Sequence, residues 1–353
     1  MAKIDLMGLP KKTLVDLLKT YSKNSMTVDG LWFVNVEEKF GLDTAIEIDT
    51  RVWERYGATE ARRIKKALNI TEGGIPALAK ALNFQIWVPG MEYEFPEVTE
   101  KSLVFNVTDC TVQRARIRNN RPEFKCKPVG EALFAPFAKT IDPGLEMECL
   151  TCPPDEHPED VWCSWKFRLK DEPATEIEGD AKIDYFDLSE GTLIELIKMY
   201  SKNVITIDGL WFINIEERFD LDTAIDIDIK VWERYGVTEA RRLKRVLNID
   251  EGGGISALVK ALNFQIWVPG MDYEFPEITE KSVVFNVTDC TPQKARIRDK
   301  RGEFPCKPVG VALFKKFAET IDPRLNMKCL VCPPDSHPEN VWCSWEFRLE
   351  EHI

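Results

Sequence analysis

Histidine is nearly missing from this chain: three residues in 353, namely His157, His337 and His352. No Ser-His-Asp pattern, P-loop or G-x-G-x-x-G fingerprint is present, so triad hydrolysis and the common nucleotide-binding loops have no motif behind them. No stretch approaches the roughly 18 to 20 apolar residues of a membrane span. The start, Met1 to Asp5, lacks the apolar run of a secretory signal. Positive charge is also in deficit, 47 Lys and Arg against 59 Asp and Glu, for a formal net charge of −12. Such a surface repels nucleic acid and anionic lipid. Arg114, Arg116 and Arg118 are the one local basic cluster of note, read as a solvated strand or turn face. The expectation is a cytoplasmic protein with no membrane and no nucleic-acid partner. Thiols stay reduced in that compartment, so the ten cysteines need an explanation other than disulfides.

What is present is a repeat. Lys80 to Met91 reads KALNFQIWVPGM, and so does Lys260 to Met271. FNVTDCT at Phe105 to Thr111 returns at Phe285 to Thr291, and Val161-Trp162-Cys163-Ser164-Trp165 returns at Val341 to Trp345. The offset is 179 before the Gly252-Gly253-Gly254 run and 180 after it, as one inserted glycine requires. A period of this size means two fused domains and not a solenoid. The expected organisation is a first repeat at 1–169, an acidic linker at 170–185 rich in Asp, Glu, Pro and Gly, and a second repeat at 186–353. Two near-identical domains on one chain suggest an intramolecular pseudo-dimer.

Periodicity divides each repeat into a helical part and a strand part. In the first repeat, Leu14, Leu17 and Leu18 share a face of a helix from Thr13 to Tyr21. Trp32, Phe33, Val36 and Phe40 mark a second helix with Asp29 as its N-cap. A third is expected from Asp43 to Leu68, with Gly57 as a candidate interruption, and a fourth from Ile75 to Leu82. Phe84 to Val88, Ser102 to Cys110 and Trp162 to Leu169 read as strands. Phe124 to Phe137 stays open between strand and helix, with Pro128 suited to a helix's first turn. Helices followed by strands predict an α+β fold. Asn35, Glu38, Asp49 and Glu60 could converge between helices, as carboxylates do in di-iron bundles, but with no E-x2-H motif beside them they are read as a solvated helical face with pairs of the Glu60–Arg63 kind; the tryptophans are read mainly as core.

Each repeat has five cysteines: Cys110, Cys126, Cys149, Cys152 and Cys163, then Cys290, Cys306, Cys329, Cys332 and Cys343. The intervening gaps are 15, 22, 2 and 10 residues in both. Cys149-Leu150-Thr151-Cys152 is a C-x2-C pair, a spacing at which two thiolates grip one metal from a tight turn. Zinc and iron–sulfur clusters both use such ligands.

The run FPCKPVGVALFKKFAETIDPRLNMKCLVCPPDSHPENVWCSWEF, Phe304 to Phe347, resembles the 4-vinyl reductase domain, a small-molecule-binding module. That resemblance implies a structural zinc beside an aromatic-lined pocket for a small apolar or aromatic molecule. It also implies the ligand sets Cys126, Cys149, Cys152, Cys163 and Cys306, Cys329, Cys332, Cys343. The second ligand is often glutamate in that family and is cysteine here, and the last gap is longer here. The whole repeat, through DGLWF, EARR, VTDC, CKPVG, IDP and WCSW, also resembles an uncharacterised cytosolic family related to the L-2-amino-thiazoline-4-carboxylic acid hydrolases.

The fifth cysteine is then left over. Cys110 and Cys290, next to Asp109 and Asp289, are the candidates for catalysis, since a thiol beside a metal can act as a nucleophile. They are expected near the metal site and facing a pocket, as reactive thiols or as a fifth, exchangeable metal ligand, with packing in the core as the alternative. The leading reading is a metal-containing small-molecule-binding protein with one four-cysteine site, zinc by preference, in each repeat. The rivals are a hydrolase of the thiazoline-carboxylate type and an iron–sulfur redox protein.

Overall fold

The computed structural model describes residues 5–169 and 181–350. The first repeat contains helices α1 (Lys11–Phe40), α2 (Leu42–Ala67) and α3 (Gly74–Leu82), strands β1 (Glu92–Val98) and β2 (Ser102–Asp109), helices α4 (Thr111–Arg118) and α5 (Lys127–Ile141), and strands β3 (Leu145–Thr151) and β4 (Cys163–Leu169). The second repeats this order as α6 (Glu190–Arg218), α7 (Leu221–Val246), α8 (Gly254–Leu262), β5 (Asp272–Ile278), β6 (Ser282–Asp289), α9 (Thr291–Arg298), α10 (Lys307–Ile321), β7 (Leu325–Val331) and β8 (Cys343–Leu349). Each sheet is antiparallel, in the orders β1-β2-β4-β3 and β5-β6-β8-β7. The fold is α+β, as the sequence pattern predicts.

Several local expectations are corrected. The two short helices expected before Phe40 are one helix of 30 residues. Asp29 is not an N-cap: it lies inside α1, is 7% exposed, and accepts a 2.8 Å bond from Trp211 Nε1. Burial against that indole overrides the local capping preference. Gly57 does not interrupt α2. Phe84 to Val88 is no strand. It is a buried turn in which Ile86 N donates to Glu60 Oε1 at 2.6 Å, so a side chain takes the place of a neighbouring strand. Glu60 and Asp49 are therefore core residues, at 0% and 2% exposure, and not a solvated face. Arg114, Arg116 and Arg118 lie on α4, with Arg116 buried. Of the expected linker, residues 170–180 lie outside the described residues. Residues 181–185 are fixed by bonds from Asn83 Nδ2 to Ala181 O and from Tyr185 Oη to Asn83 O, both 2.9 Å.

Helix α5 has α2 on one side and the sheet on the other. Two glycines permit this closeness. A Cβ on Gly57 would stand 2.5 Å from Leu133 O, and one on Gly130 would stand 2.5 Å from the Trp165 ring.

The chain divides into two compact units, Tyr21–Asn214 and Met1–Thr20 with Ile215–Ile353. Inside the first, α1 and α6 meet through a reciprocal pair. Trp32 Nε1 donates to Asp208 and Trp211 Nε1 to Asp29, each at 2.8 Å, with the two indoles stacked 6.4 Å apart. Tyr200 Oη reaches Phe84 O at 3.1 Å, and Arg63 Nη1 reaches Asn203 Oδ1 at 2.7 Å. In the second unit, the buried side chains include Leu14, Leu17 and Leu18 of α1 together with Phe285, Phe317 and Phe347.

Candidate site: a cysteine cluster at the end of each sheet

Four backbone features bring cysteines to one end of the first sheet. Cys110 follows β2 and is the N-cap of α4. Cys126 is the N-cap of α5, its carbonyl accepting from Gly130 N at 2.9 Å. Cys163 opens β4 opposite Val107. Cys152 follows β3 in a turn tied to α5, where Lys127 N donates to Pro153 O at 3.0 Å and Lys127 Nζ pairs with Asp155 at 2.8 Å.

The sulfurs of Cys126 and Cys152 are 3.5 Å apart, and those of Cys306 and Cys332 3.6 Å. The Cys152 thiol also hydrogen-bonds to Cys163, as Cys332 does to Cys343. These bonds, to Cys126 first, hold the Cys152 proton firmly, while the same bond together with Gln113 lowers the pKa of Cys126. Cys110 stands within electrostatic reach of Cys163 and Cys126, and burial pushes its thiol up to about 12. A thiol held protonated is a poor nucleophile. Asp109, the other catalytic candidate, is engaged by Arg114 at 2.8 Å, and Asp289 by Lys294 at 2.5 Å.

Cys149 is placed differently from the expected knuckle. It lies within β3 opposite Trp165, so the C-x2-C pair straddles a strand end and is not held in one tight turn. Burial raises its thiol to about 12, against the lowering charge of Lys127. Among the described residues, no group of three or more His, Cys, Asp or Glu side chains is arranged to hold a metal ion. His157 and His337 stand apart from the sulfurs' hydrogen bonds. Their rings lie 5.1 Å from those of Trp162 and Trp342.

Gln113 escaped the sequence reading. Its Nε2 donates to Phe124 O at 2.8 Å and to Cys126 Sγ at 3.4 Å, and its Oε1 accepts from Phe124 N at 2.8 Å. Gln293 repeats the clamp on Phe304 and Cys306. The recurrence of Gln three residues after each first cysteine was the available signal. A second support is ionic. Arg116 makes two bonds to Glu37 of α1, at 2.9 and 3.0 Å, and Arg121 adds a third at 2.8 Å. Burial works against the Glu37 charge, but the two guanidiniums outweigh it and hold its pKa below the usual carboxylate value. The segment between α4 and Cys126 is thus pinned to α1.

A second group of titratable residues lies among the helices. Burial raises Asp29 to about 7. It raises Asp49 too, with the Asp29 charge adding to the effect. Asp49 Oδ1 is buried without a protein hydrogen-bond partner. Cys126 is close enough to contribute to the Asp49 shift. A groove of about 580 Å³ near the start of α8, lined by Gly252, Gly254, Ile278 and Arg324, contains none of the cysteines.

These features define a duplicated α+β protein with four cysteines toward one sheet end of each copy and a fifth within the strand β3 or β7. The chain belongs to DUF6125, a family of unknown function, whose model matches residues 7–169 and again 186–349. Comparison with curated proteins and with solved structures finds no match. The likenesses to the 4-vinyl reductase domain and the thiazoline-carboxylate hydrolases rest on the quoted motifs alone. No helix among the described residues is long and apolar enough to cross a membrane.

Proposed function

We propose that each repeat is a thiolate metal-binding module, with Cys126, Cys152 and Cys163 as ligands in the first and Cys306, Cys332 and Cys343 in the second. The observation that carries this reading is the close approach of the sulfurs in both copies, 3.5 Å and 3.6 Å. Four thiolates at a zinc–sulfur distance of about 2.3 Å stand about 3.8 Å from one another in a tetrahedron. The donor set is all sulfur, which suits zinc or an iron–sulfur cluster and not a hard cation. Binding requires the remaining thiols to turn toward the first pair and lose their protons, as a coordinating thiol does. The resulting negative charge is favoured by the N-termini of α4 and α5 and by the Gln113 amide. Zinc supplies a rigid cross-link there, and the cysteines with Gln113 hold it. The test is metal analysis of the full chain purified under reducing conditions. Two zinc per colourless chain is the expected result. A brown, iron-containing chain would replace zinc by a cluster, and a metal-free chain with all thiols titrating freely would end the reading.

A second reading, binding of a small apolar or aromatic molecule, is supported by the aromatic group Trp87, Phe105, Phe134 and Trp165. The indole Nε1 atoms of Trp87 and Trp165 are buried without protein hydrogen-bond partners, as are those of Trp267 and Trp345. A donor so placed suits a ligand with one polar atom on an apolar body. The reciprocal Trp32–Asp208 and Trp211–Asp29 bonds support an intramolecular pseudo-dimer of the repeats, because a two-fold contact repeats itself with the partners exchanged.

A further inference from the structure

We propose that Cys126 with Cys152, and Cys306 with Cys332, are redox-active dithiols: a hydroperoxide oxidises each pair to a disulfide within the repeat, and a dithiol reductant restores it. The proposal goes beyond the metal-binding reading and stands on the thiols alone, whether or not a metal is held.

Geometry selects these pairs. Cys126 Sγ and Cys152 Sγ are 3.5 Å apart, and Cys306 Sγ and Cys332 Sγ 3.6 Å. A disulfide is about 2.05 Å long, so each pair has about 1.5 Å to close. The chain segments that bear the sulfurs are fastened side by side. The residues after the two cysteines are hydrogen-bonded to each other, Lys127 N to Pro153 O at 3.0 Å and Lys307 N to Pro333 O at 2.9 Å. An ion pair ties the same corner, Lys127 Nζ to Asp155 at 2.8 Å and Lys307 Nζ to Asp335 at 2.7 Å. Rotation of the two side chains is then left to bring the sulfurs into bonding distance. The strand before the second cysteine differs between the copies, Glu148 and Thr151 being replaced by Lys328 and Val331. The sulfur contact and both ties are the same in each.

Exposure sets the order of events. Cys152 and Cys332 are 1% exposed, whereas Cys126 and Cys306 are half-buried. The hydroperoxide therefore meets Cys126 first. The Cys126 sulfur takes one oxygen of the O–O bond and becomes a sulfenic acid, while the other oxygen leaves as an alcohol, or as water from hydrogen peroxide. The Cys152 sulfur, already in contact, bonds to the Cys126 sulfur. The hydroxyl departs from Cys126 and takes the Cys152 thiol proton with it as water. For each pair, two thiols and one hydroperoxide give one disulfide, one alcohol and one water; the sulfurs lose two electrons and the O–O bond gains them. A resolving thiol in contact with the first sulfur also diverts the sulfenic acid from irreversible oxidation to the sulfinic acid.

The test uses the full chain, purified under reducing conditions, desalted without air and treated with hydrogen peroxide. Thiols are counted after denaturation, and disulfides are located by peptide mapping without reduction. Two pairs consume four of the ten free thiols and leave six, at about one peroxide for each pair. The expected linkages are Cys126–Cys152 and Cys306–Cys332, and dithiothreitol should return all ten thiols. Ten thiols that persist, a Cys152–Cys163 linkage, bridges between chains, or sulfinic acid at Cys126 without a bridge would each overturn the proposal. A double variant, Cys152→Ser with Cys332→Ser, should leave sulfenic acids at Cys126 and Cys306 that dimedone captures, with far less capture in the wild type. Equal capture in both would also overturn it. The mapping needs no substitution, so a variant that fails to fold leaves the wild-type result decisive. Metal content of the same sample before oxidation decides the metal-binding reading separately.

Discussion

Gln113 offers the sharpest test of how the site is held. It is 1% exposed, and its amide holds Phe124 from both sides while donating to Cys126. Gln113→Ala removes all three bonds. Phe124 N is then left unpaired in a buried setting, which costs about 1–3 kcal/mol. Phe124 O keeps one donor, Cys126 N at 2.8 Å, so the loss there is one ordinary bond, about 1 kcal/mol. The expected total is about 2–4 kcal/mol, read from urea unfolding monitored by tryptophan fluorescence. Gln113→Glu separates the fold from the site. It keeps an acceptor for Phe124 N, loses the donor to Cys126, and sets a carboxylate near a thiolate. Its stability loss should be the smaller of the two, while metal affinity falls about 10- to 100-fold, as for other outer hydrogen-bond partners. An alanine variant within about 0.5 kcal/mol of the wild type, the scatter of a neutral surface change, would refute the clamp. A glutamate variant with unchanged metal affinity would refute its link to the sulfur.

Three further outcomes are expected. Gly57→Ala gains about 1 kcal/mol of helix propensity but drives a Cβ to 2.5 Å from the backbone of α5, against 2.9 Å at Gly236; overpacking of about 1–3 kcal/mol should make Gly57→Ala destabilising and clearly worse than Gly236→Ala in thermal unfolding. Burial raises Glu60 and Glu239 from 4.5 to about 7. The folded chain keeps these protons where the unfolded chain has released them, so stability is full below pH 4.5 and falls as pH rises toward 7, by about 3 kcal/mol for each group; Glu60→Gln should flatten the fall between about pH 5 and about pH 8 in urea titrations, and an unchanged slope would contradict it. Glu37→Ala leaves the buried Arg116 guanidinium, 6% exposed, without its carboxylate, and a loss of about 3–5 kcal/mol should appear as an early unfolding transition accompanied by weakened metal retention.

What the sequence made legible was whatever one repeat declares locally. The duplication, α2, α3, β2 and β4 follow from copied motifs and apolar spacing, and the Pro128 entry to α5 resolves as a helix. The misreadings arose where a distant partner decided the outcome. Asp29 looks like a cap until Trp211, far along the chain, is placed against it. Phe84 to Val88 looks like a strand until Glu60 takes its backbone N–H. β1 was hidden by Pro96, which an edge strand tolerates at a bulge, and the bulge does fall between Glu94 and Glu97. The cysteine gaps draw attention to one end of each sheet, but spacing alone does not reveal that Cys149 is paired within β3.

The boundary between compact units has a consequence for how such a chain comes to fold. A gene cut between 169 and 186 would yield two polypeptides, each matching the family once. Neither would contain the whole of either unit, because residues up to Thr20 go with the later unit and residues up to Asn214 with the earlier one. A polypeptide of one repeat would need a second copy to supply the missing helical segment, the counterpart of Lys11–Thr20 or of Glu190–Asn214, to complete a unit of this kind. Its folding becomes second order and sensitive to dilution. Fusion of the two copies turns that encounter into a first-order step, independent of concentration, which is a kinetic reason for the duplication to persist.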